Sequence, residues 1–472
     1  MIISTRKELK TTASLAILEG LAKDGGLYIF DHFDKVDFNK MLKMNYKELS
    51  VYILSLLLDD YSEKEIKEII DKSYDNQFDC DDLVELKKTS DAYFLELFHG
   101  PTIAFKDMAL RVLPNLLKCA KEKHGIKKDT IILTATSGDT GGATLSGFKD
   151  VDGMKVIVFY PNNLVSKLQE LQMISFRSEN QKVIAYDGNF DDTQSFVKEM
   201  FKKYPDLSSS NSINLGRLVS QVVYYFYAYI KLVKDGAITL GQRINYSVPT
   251  GNFGNILACY IAMLMGLPVN KLICASNKNN VLSDFFNTGV YDINRPFYKT
   301  NSPSMDILIS SNLERLLYLI NGNTTKLMED LKNNKRFSLN KEEMKKLNIF
   351  YGNYIDELDT LKIIKEVFEK ENYLIDTHTA VSYGVYEKYK QEECDDSITV
   401  VVSTASPYKF LDSIKEALGL DKDMDIYEFS KYTNTNIPKV ILGYKDNHKE
   451  FWKKAEINEN FEKTLKELGY GK

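Results

Sequence analysis

A lysine within an apolar segment is the residue of this chain best suited to covalent chemistry. Lys106 lies in the segment FHGPTIAFKDMA, residues 98–109. Burial disfavours an ammonium group and lowers its pKa from about 10.4, which yields an amine that can form a Schiff base with a carbonyl compound. Two alternatives remain open for Lys106, an exposed surface charge and a plain ion pair with Asp107.

Three loops rich in glycine and hydroxyl groups could bind an anion. Each follows an apolar, β-branched run, and their sequences are TSGDTGG (136–142), TGNFGN (250–255) and TASP (404–407). Backbone N–H groups in such loops converge on an anion, and a following helix adds its positive N-terminal end. None of the loops fits the nucleotide motifs G-x-x-x-x-G-K-[ST] or G-x-G-x-x-G, so phosphate is the expected guest. The alternative is that the glycines only make tight turns.

Other catalytic arrangements have little support in the sequence. The histidines never form H-x-x-x-H, the five cysteines include no C-x-x-C, and G-x-S-x-G is absent. We therefore expect no metal site and no serine hydrolase. We expect His99 and His378 to be hydrogen-bonded loop residues rather than catalytic bases.

The elements that would position these residues alternate between strand and helix. Short apolar runs at 130–135, 155–160, 182–188, 244–249, 271–276 and 397–403 are separated by helical segments. This pattern predicts an α/β fold with largely parallel sheets, whose ligands bind beyond the carboxyl ends of the strands. Residues 13–72 have a mostly helical pattern and predict a separate N-terminal domain.

Length and charge exclude several classes of protein. The chain has 472 residues, enough for about three domains, and its net charge is only −5, with 27% charged and 44% hydrophobic residues. Because the net charge is small, nucleic acid is not expected as a partner. A membrane is not expected either, because the longest apolar stretch has 14 residues (256–269) and a span needs about 20. No targeting segment is recognisable, which predicts a cytoplasmic location.

Six segments, taken in order along the chain, resemble a known family. They are GLAKDGGLYIF (20–30), FHGPTIAFKDMAL (98–110), TSGDTGG (136–142), NSINLGR (211–217), VPTGNFGN (248–255) and STASPYKF (403–410). Together they are similar to the threonine synthases of the long microbial and fungal type, which are pyridoxal-phosphate (PLP) enzymes of fold type II, the tryptophan synthase β family. The resemblance implies two open, mostly parallel α/β domains plus a helical N-terminal domain. We expect the N-terminal domain at 1–90, a small α/β domain at 131–229, and a large PLP-binding domain from 91–130 and 230–472.

The resemblance also implies roles for individual residues. Lys106 would form the Schiff base with pyridoxal 5'-phosphate, and Thr404 would face the pyridine nitrogen. The remaining expected contacts are Gly251, Asn252, Phe253 and Asn255 to the cofactor phosphate; Ser137, Asp139 and Thr140 to the substrate carboxylate or the phenolic oxygen of the cofactor; and Asn211, Ser212 and Arg217 to a phosphate on the substrate. The role of Asp139 stays open, since many relatives of the broader fold have Asn there. The chain departs from the family at Ser406, where His is common, and at Thr377, where Pro is common.

The implied reaction converts O-phospho-L-homoserine and water to L-threonine and phosphate, by γ-elimination followed by β-addition of water. Lys106 would act as the mobile base. A serine/threonine dehydratase on the same fold is the nearest alternative, and a non-catalytic binding protein is another. The second phosphate site at residues 211–217 separates a phosphate-releasing enzyme from a dehydratase. The long-type family is usually monomeric, so a monomer is expected.

Overall fold

The computed structural model describes residues 1–7, 9–188, 190–204, 207–445, 447 and 449–470. Its strands are β1 (Ile2–Ser4), β2 (Lys10–Thr11), β3 (Tyr28–Phe30), β4 (Glu85–Lys88), β5 (Tyr93–Glu96), β6 (Thr130–Ala135), β7 (Met154–Pro161), β8 (Gln181–Tyr186), β9 (Ile244–Pro249), β10 (Val269–Ser276), β11 (Val290–Asp292), β12 (Arg336–Ser338), β13 (Phe350–Tyr354), β14 (Thr399–Ser403) and β15 (Glu450–Trp452). Its α-helices are α1 (Ala13–Glu19), α2 (Phe38–Met41), α3 (Tyr46–Leu57), α4 (Glu63–Ser73), α5 (Asp107–Leu110), α6 (Val112–Lys123), α7 (Asp139–Gly147), α8 (Lys167–Phe176), α9 (Phe190–Lys203), α10 (Leu215–Lys234), α11 (Gly254–Leu264), α12 (Val281–Thr288), α13 (Leu313–Asn321), α14 (Thr325–Asn334), α15 (Lys341–Lys346), α16 (Glu357–Glu371), α17 (Thr377–Glu393), α18 (Leu411–Leu418), α19 (Ile426–Thr433), α20 (Lys439–Leu442) and α21 (Ile457–Glu467). Short 3₁₀ turns occur at Pro303–Met305, Pro407–Phe410 and Lys454–Glu456.

The larger sheet brings two of the predicted anion-binding loops together. Its strand order is β13-β10-β9-β14-β5-β4, and only β4 is antiparallel to its neighbour. Every residue of β9 and of β14 is buried, which explains the apolar run of β14, whereas β9 also buries Asn245 and Ser247, whose side chains are hydrogen-bonded. Since β9 and β14 are parallel neighbours, the loops that follow them leave the same edge of the sheet.

The smaller sheet has the order β15-β8-β7-β6 and is parallel throughout. One of its faces packs on a cluster that includes Phe159, Phe196 and Phe461, supplied by the sheet and by the helices α9 and α21. The loop after β6 is the third predicted anion-binding loop. The predicted α/β fold with two mostly parallel sheets is therefore confirmed.

The N-terminal part contains the predicted helices α1 to α4 and also a three-stranded antiparallel sheet of order β2-β1-β3. The mostly helical pattern expected for this domain is present, and β3 lies in the segment 24–30, whose sequence predicts a turn into an extended stretch, but β1 and β2 were not expected. Strands of two or three residues are too short to show a period in the sequence, whereas capping residues such as Ser62 with Glu65 indicate where a helix begins.

Two features of the structure bear on the expected domain bounds. Residues 450–452 form β15 and pair with β8 of the smaller sheet, although we expected them in the large domain. A boundary at 229/230 also falls inside the continuous helix α10, which packs on α3, α5 and α11. We therefore propose that the small domain ends before Leu215 and that the C-terminal segment from about residue 450 belongs to it. None of the helices in the described residues is long and apolar enough to cross a membrane.

Candidate functional site

Lys106 lies where the chain turns from β5 into α5, against the end of β14. The Phe105 N–H donates to the carbonyl oxygen of Thr404 over 2.8 Å, and Ala104 forms an antiparallel bridge with Ala405. These bonds fix the backbone of Lys106 immediately before the first turn of α5. Its side chain is only 10% exposed, and its Nζ lies 3.3 Å from Oδ2 of Asp139.

The surroundings of Lys106 favour the neutral amine. Burial lowers its pKa, the nearby charges of Lys409 and Arg217 lower it further, and Asp139 opposes them. Asp107 is not its ion-pair partner, because the carboxylate of Asp107 accepts hydrogen bonds from the N–H and the hydroxyl of Thr102, at 2.8 and 2.7 Å. The structure therefore removes the surface-charge and Asp107 alternatives for Lys106.

Asp139 is the first residue of α7, and it joins the smaller sheet to groups of the larger one. Its Oδ1 accepts from Nε2 of Gln169 at 2.8 Å and lies 3.0 Å from Nζ of Lys409, while its Oδ2 accepts from the hydroxyl of Ser304 at 3.2 Å. Burial alone would raise the pKa of Asp139, but Lys409 and Lys106 hold it well below its usual range. Asp139 is therefore a carboxylate in the folded chain.

The loop that carries Asp139 is shaped by a left-handed glycine. Gly138 has φ of +145°, and an ideal Cβ there would lie 2.5 Å from the side chain of Gln169. The hydroxyl of Thr136 accepts from the N–H groups of Gly138 and Gly141, at 3.0 and 2.9 Å. The two other residues expected to contact substrate or cofactor from this loop, Ser137 and Thr140, are partly exposed.

The segment that follows the 3₁₀ turn at 303–305 donates hydrogen bonds to the loop between β9 and α11. The carbonyl oxygen of Gly251 accepts from the hydroxyl of Ser310 at 2.6 Å, and that of Asn252 accepts from the N–H of Asn312 at 3.1 Å. Phe253 has φ of +65° and ends the loop without a side-chain cap on α11. The ring of Phe253 is buried in the core, so this residue can offer an anion its backbone N–H but not its side chain.

Asn255, at the second position of α11, presents a donor that has no partner among the described residues. Its Oδ1 accepts from the hydroxyls of Tyr224 and Tyr225, at 2.5 and 2.6 Å, which leaves Nδ2 buried and unbonded. A buried amide that lacks a hydrogen bond is destabilised by about 1–3 kcal/mol. This amide is therefore suited to an acceptor supplied by a ligand.

Asn211, Ser212 and Arg217 lie next to this loop, at the start of α10. An ideal Cβ on Gly254 would lie 4.0 Å from Cβ of Ser212. Arg217 is buried, donates from Nη1 to the carbonyl oxygen of Ser210 at 3.0 Å, and leaves Nε without a partner among the described residues. Oδ1 of Asn211 is likewise buried and unbonded there. Burial lowers the pKa of Arg217 to about 10.

Thr404 follows the central strand β14 and is buried beside Lys106, whose segment it holds through its carbonyl oxygen. The structure thus brings together the ends of β9, β14 and β6 and the start of α10. Every residue expected in the site lies on one of these four segments, on the loop into α11, or at Lys106.

Three residues at the site were not predicted as such from the sequence. Lys409 and Ser304 both contact Asp139, and Gln169 orients it. Lys409 stands within the segment STASPYKF, but a lone lysine usually signals a surface charge. Ser304 lies far from the other site residues in the sequence, and no local pattern marks it.

His99 and His378 are both hydrogen-bonded, as expected. The Ser304 N–H donates to Nε2 of His378 at 3.2 Å, and Nδ1 of His378 lies 2.8 Å from Oδ2 of Asp376. His378 is in the first turn of α17 rather than in a loop. His99 lies between the carboxylates of Asp79 and Glu96, at 2.7 and 3.1 Å.

His99 also belongs to a group of possible metal ligands among the described residues. Candidate ligand atoms of Cys80, Glu85 and His99 lie within 4.8 Å of one another. Both ring nitrogens of His99 are already bonded to carboxylates, and although burial opposes it, Asp79 and Glu96 raise its pKa to about 9. A protonated imidazole is not a metal ligand, so we assign this group a structural role.

The site fits pyridoxal phosphate by its own chemistry. A buried amine with a lowered pKa suits the aldehyde, the start of α11 offers backbone N–H groups, and Nδ2 of Asn255 is an unused donor. The unbonded Nε of Arg217 lies on a neighbouring segment and offers a second place for an anion.

Comparisons with known proteins agree with this chemistry. Residues 80–405 match the family described as pyridoxal-phosphate dependent enzyme, residues 1–74 match the threonine synthase N terminus, and residues 379–439 match the threonine synthase C-terminal region. Threonine synthase of Saccharomyces cerevisiae is 35% identical over 460 residues, which cover 88% of this chain and 88% of the yeast protein. The crystal structure of PLP-bound threonine synthase from Brucella melitensis superposes with a TM-score of 0.87 at 32% identity, over 100% of this chain and 99% of that one.

A longer relative matches over part of its length. Human threonine synthase-like 1 is 37% identical over 436 residues, which are 86% of this chain. The chain spans 58% of the length of that protein.

Proposed function

This chain belongs to the threonine synthases, within the pyridoxal-phosphate-dependent enzyme family, and we propose that it converts O-phospho-L-homoserine and water to L-threonine and phosphate. One observation carries the proposal: two groups of unused anion-binding donors flank the buried amine of Lys106. The first is Nδ2 of Asn255 with the start of α11, and the second is Nε of Arg217, which lies on the segment that also carries Asn211 and Ser212. A cofactor phosphate and a substrate phosphate would need these two separate places.

We propose that Lys106 carries the cofactor and that the start of α11 holds its phosphate. The N–H groups of the loop at 251–255 and Nδ2 of Asn255 supply the donors, and the positive end of α11 adds to them. With the cofactor bound, Thr404 would place a neutral hydroxyl at the pyridine nitrogen, as the resemblance implies. When bound, pyridoxal phosphate supplies an electron sink that stabilises negative charge on the substrate carbons.

The proton transfers then fall to Lys106. As a free amine, Lys106 would move protons at Cα, Cβ and Cγ of the substrate. The low exposure of the side chain keeps bulk water away from these protons. Phosphate leaves from Cγ, and water adds at Cβ to give threonine.

We propose that Arg217 binds the phosphate that leaves. Its guanidinium can bind two oxygens at once, and burial without a carboxylate partner among the described residues leaves it free for an anion. Asn211 and Ser212 add an amide and a hydroxyl. Ser137 and Thr140 lie on the loop where we propose that the substrate carboxylate binds.

The test compares two products in the purified enzyme, phosphate from phosphohomoserine and keto acid from serine or threonine. Each charge-assisted bond to phosphate contributes about 1.5–3 kcal/mol, so Arg217→Ala should lower kcat/KM for phosphohomoserine by roughly 10- to 150-fold. The cofactor content should stay normal. Arg217→Lys keeps the charge but not the bidentate geometry, so its kcat/KM should lie between those of the wild type and Arg217→Ala. Arg243→Ala, at an exposed position, serves as the control.

A dehydratase would give the opposite result. Keto acid would dominate over phosphate, and Arg217→Ala would leave turnover unchanged because serine carries no phosphate. That outcome would exclude the proposed substrate.

We also propose that the chain acts in the cytoplasm and as a monomer, and the resemblance to the long-type family supports the monomer. Light scattering of the purified enzyme at micromolar concentration should give a mass near 54.1 kDa. A mass near twice that value would contradict a monomer.

A further inference from the structure

Lys409 is a buried charge to which the proposed function gives no role. Its side chain is 1% exposed and lies in the 3₁₀ turn Pro407–Phe410, after the central strand β14. Its Nζ donates to the carbonyl oxygen of Thr102 at 2.8 Å and lies 3.0 Å from Oδ1 of Asp139. A buried ammonium group needs partners of this kind, because desolvation disfavours its charge.

Two lysine side chains share the carboxylate of Asp139. Lys409 faces Oδ1, and Lys106 faces Oδ2 at the longer distance of 3.3 Å. Gln169 donates to Oδ1 as well, and Ser304 donates to Oδ2. Asp139 thus has four polar partners, and the shorter of its two ion pairs is the one with Lys409.

The chemistry proposed for Lys106 requires a neutral amine. A buried lysine paired with a single carboxylate would be held as an ammonium ion, because an opposite charge within about 4–6 Å favours the charged form. An ammonium group has no lone pair, so it can neither attack the cofactor aldehyde nor accept a proton. Asp139 on its own would therefore work against Lys106.

We propose that Lys409 is a positioning residue that takes up the charge of Asp139 and thereby leaves the amine of Lys106 unprotonated for reaction. This inference rests on the role of Lys106 in the proposed function, but it does not depend on which substrate the enzyme uses. It also gives Asp139 a role, which is to join the smaller sheet to the site through Lys409 rather than to activate Lys106.

The other charges around Lys106 act in the same direction as Lys409. Burial lowers the pKa of Lys106, Lys409 and Arg217 lower it further, and the carboxylate of Asp139 opposes them. Removal of Lys409 should therefore raise this pKa, and removal of Asp139 should lower it. The two changes made together should largely cancel.

Another buried lysine provides a matched control. Nζ of Lys415, in α18, donates to the carbonyl oxygens of Lys422 and Met424, at 2.9 and 2.6 Å. Like Lys409 it is buried and bonded to backbone, but it has no ion pair with Asp139. Lys415→Met therefore reproduces the structural consequences of losing a buried lysine without the electrostatic ones.

The experiment measures the protonation of Lys106 in the full-length chain freed of cofactor. The chain is pulsed with acetic anhydride between pH 6 and 11, and acetylation of Lys106 is quantified by peptide mass spectrometry against exposed lysines. Lys409→Met should shift the midpoint for Lys106 upward by about 1–2 pH units. Asp139→Asn should shift it downward, the double variant should return near the wild type, and Lys409→Arg should stay near it.

Lys415→Met should keep the wild-type midpoint even though its melting temperature falls. An unchanged midpoint in folded Lys409→Met would overturn the proposal and leave Lys409 with a structural role only. Where Lys409→Met fails to fold, Asp139→Asn decides the question, since a midpoint that stays or rises would also overturn it. No substrate enters this experiment, so its failure is distinguishable from a failure of the proposed reaction.

Discussion

Gly251→Ala tests the proposed phosphate loop with a single methyl group. An ideal Cβ at this position would lie 2.6 Å from the carbonyl oxygen of Ser304 and 3.2 Å from Cα of Met305. Ordinary contacts begin at 3.4 Å, so the two segments must separate by 3.4 − 2.6 = 0.8 Å. Because the nearest atom is backbone, no side-chain rotation relieves the clash.

The strain should appear in cofactor affinity. Overpacking of this kind destabilises by about 1–3 kcal/mol, which corresponds to roughly 5- to 150-fold weaker binding of pyridoxal phosphate if it is carried by the loop. The segment that must move carries Ser304, which contacts both Asp139 and His378. We therefore expect turnover at saturating cofactor to fall as well.

The assay is a fluorescence titration of the cofactor-free chain with pyridoxal phosphate, with thermal unfolding recorded in parallel. Gly443→Ala is the control, because its Cβ would meet only the carbonyl oxygen of Val440, at 3.5 Å, and it should bind the cofactor like the wild type. Wild-type affinity in a folded Gly251→Ala variant would refute the assignment of this loop to the cofactor phosphate.

Two further predictions concern Lys106 and His99. Lys106→Ala should abolish turnover but retain noncovalent cofactor binding, because the loop at 251–255 is intact. In the wild type, borohydride treatment followed by peptide mapping should label Lys106. A label on another lysine would contradict the assignment. Asp79 and Glu96 outweigh burial and raise the pKa of His99 to about 9 in the folded chain, against about 6.5 unfolded. The charged ring therefore stabilises the fold fully below about pH 6.5, and this contribution is lost as the pH rises through 9. In urea unfolding, the advantage of the wild type over His99→Gln should shrink by roughly 3 kcal/mol between pH 6 and pH 10, and a constant difference would show that folding does not raise the pKa of this ring.

The sequence predicted best those elements whose local pattern is unambiguous. β6 and β9 have the predicted bounds, Thr130–Ala135 and Ile244–Pro249, and for β6 the reason is that a strand buried on both faces is a nearly continuous apolar run. The strands β1, β2 and β15 were not predicted, because runs of two or three residues show no period in the sequence and because β15 pairs with a strand far away in the chain.

The residues of the candidate site likewise differ in whether the local sequence predicts them. The local sequence indicates the chemistry of Lys106 and of the three predicted anion-binding loops, and the structure brings them together. Lys409 and Ser304 reach the site through tertiary packing alone, and neither residue type would mark a site without it. The individual roles of the site residues stay predictions until the variants above are measured.

The pairing of β15 with β8 has a consequence for biosynthesis. During translation, the smaller sheet can form from β6, β7 and β8 while β15 is still being synthesised or held in the ribosomal exit tunnel. Over that interval β8 is an edge strand with unpaired N–H and C=O groups, and such edges recruit strands from other chains. Once β15 has left the exit tunnel it can close that edge, so a nascent chain stalled before residue 450 keeps β8 open to pairing with other chains.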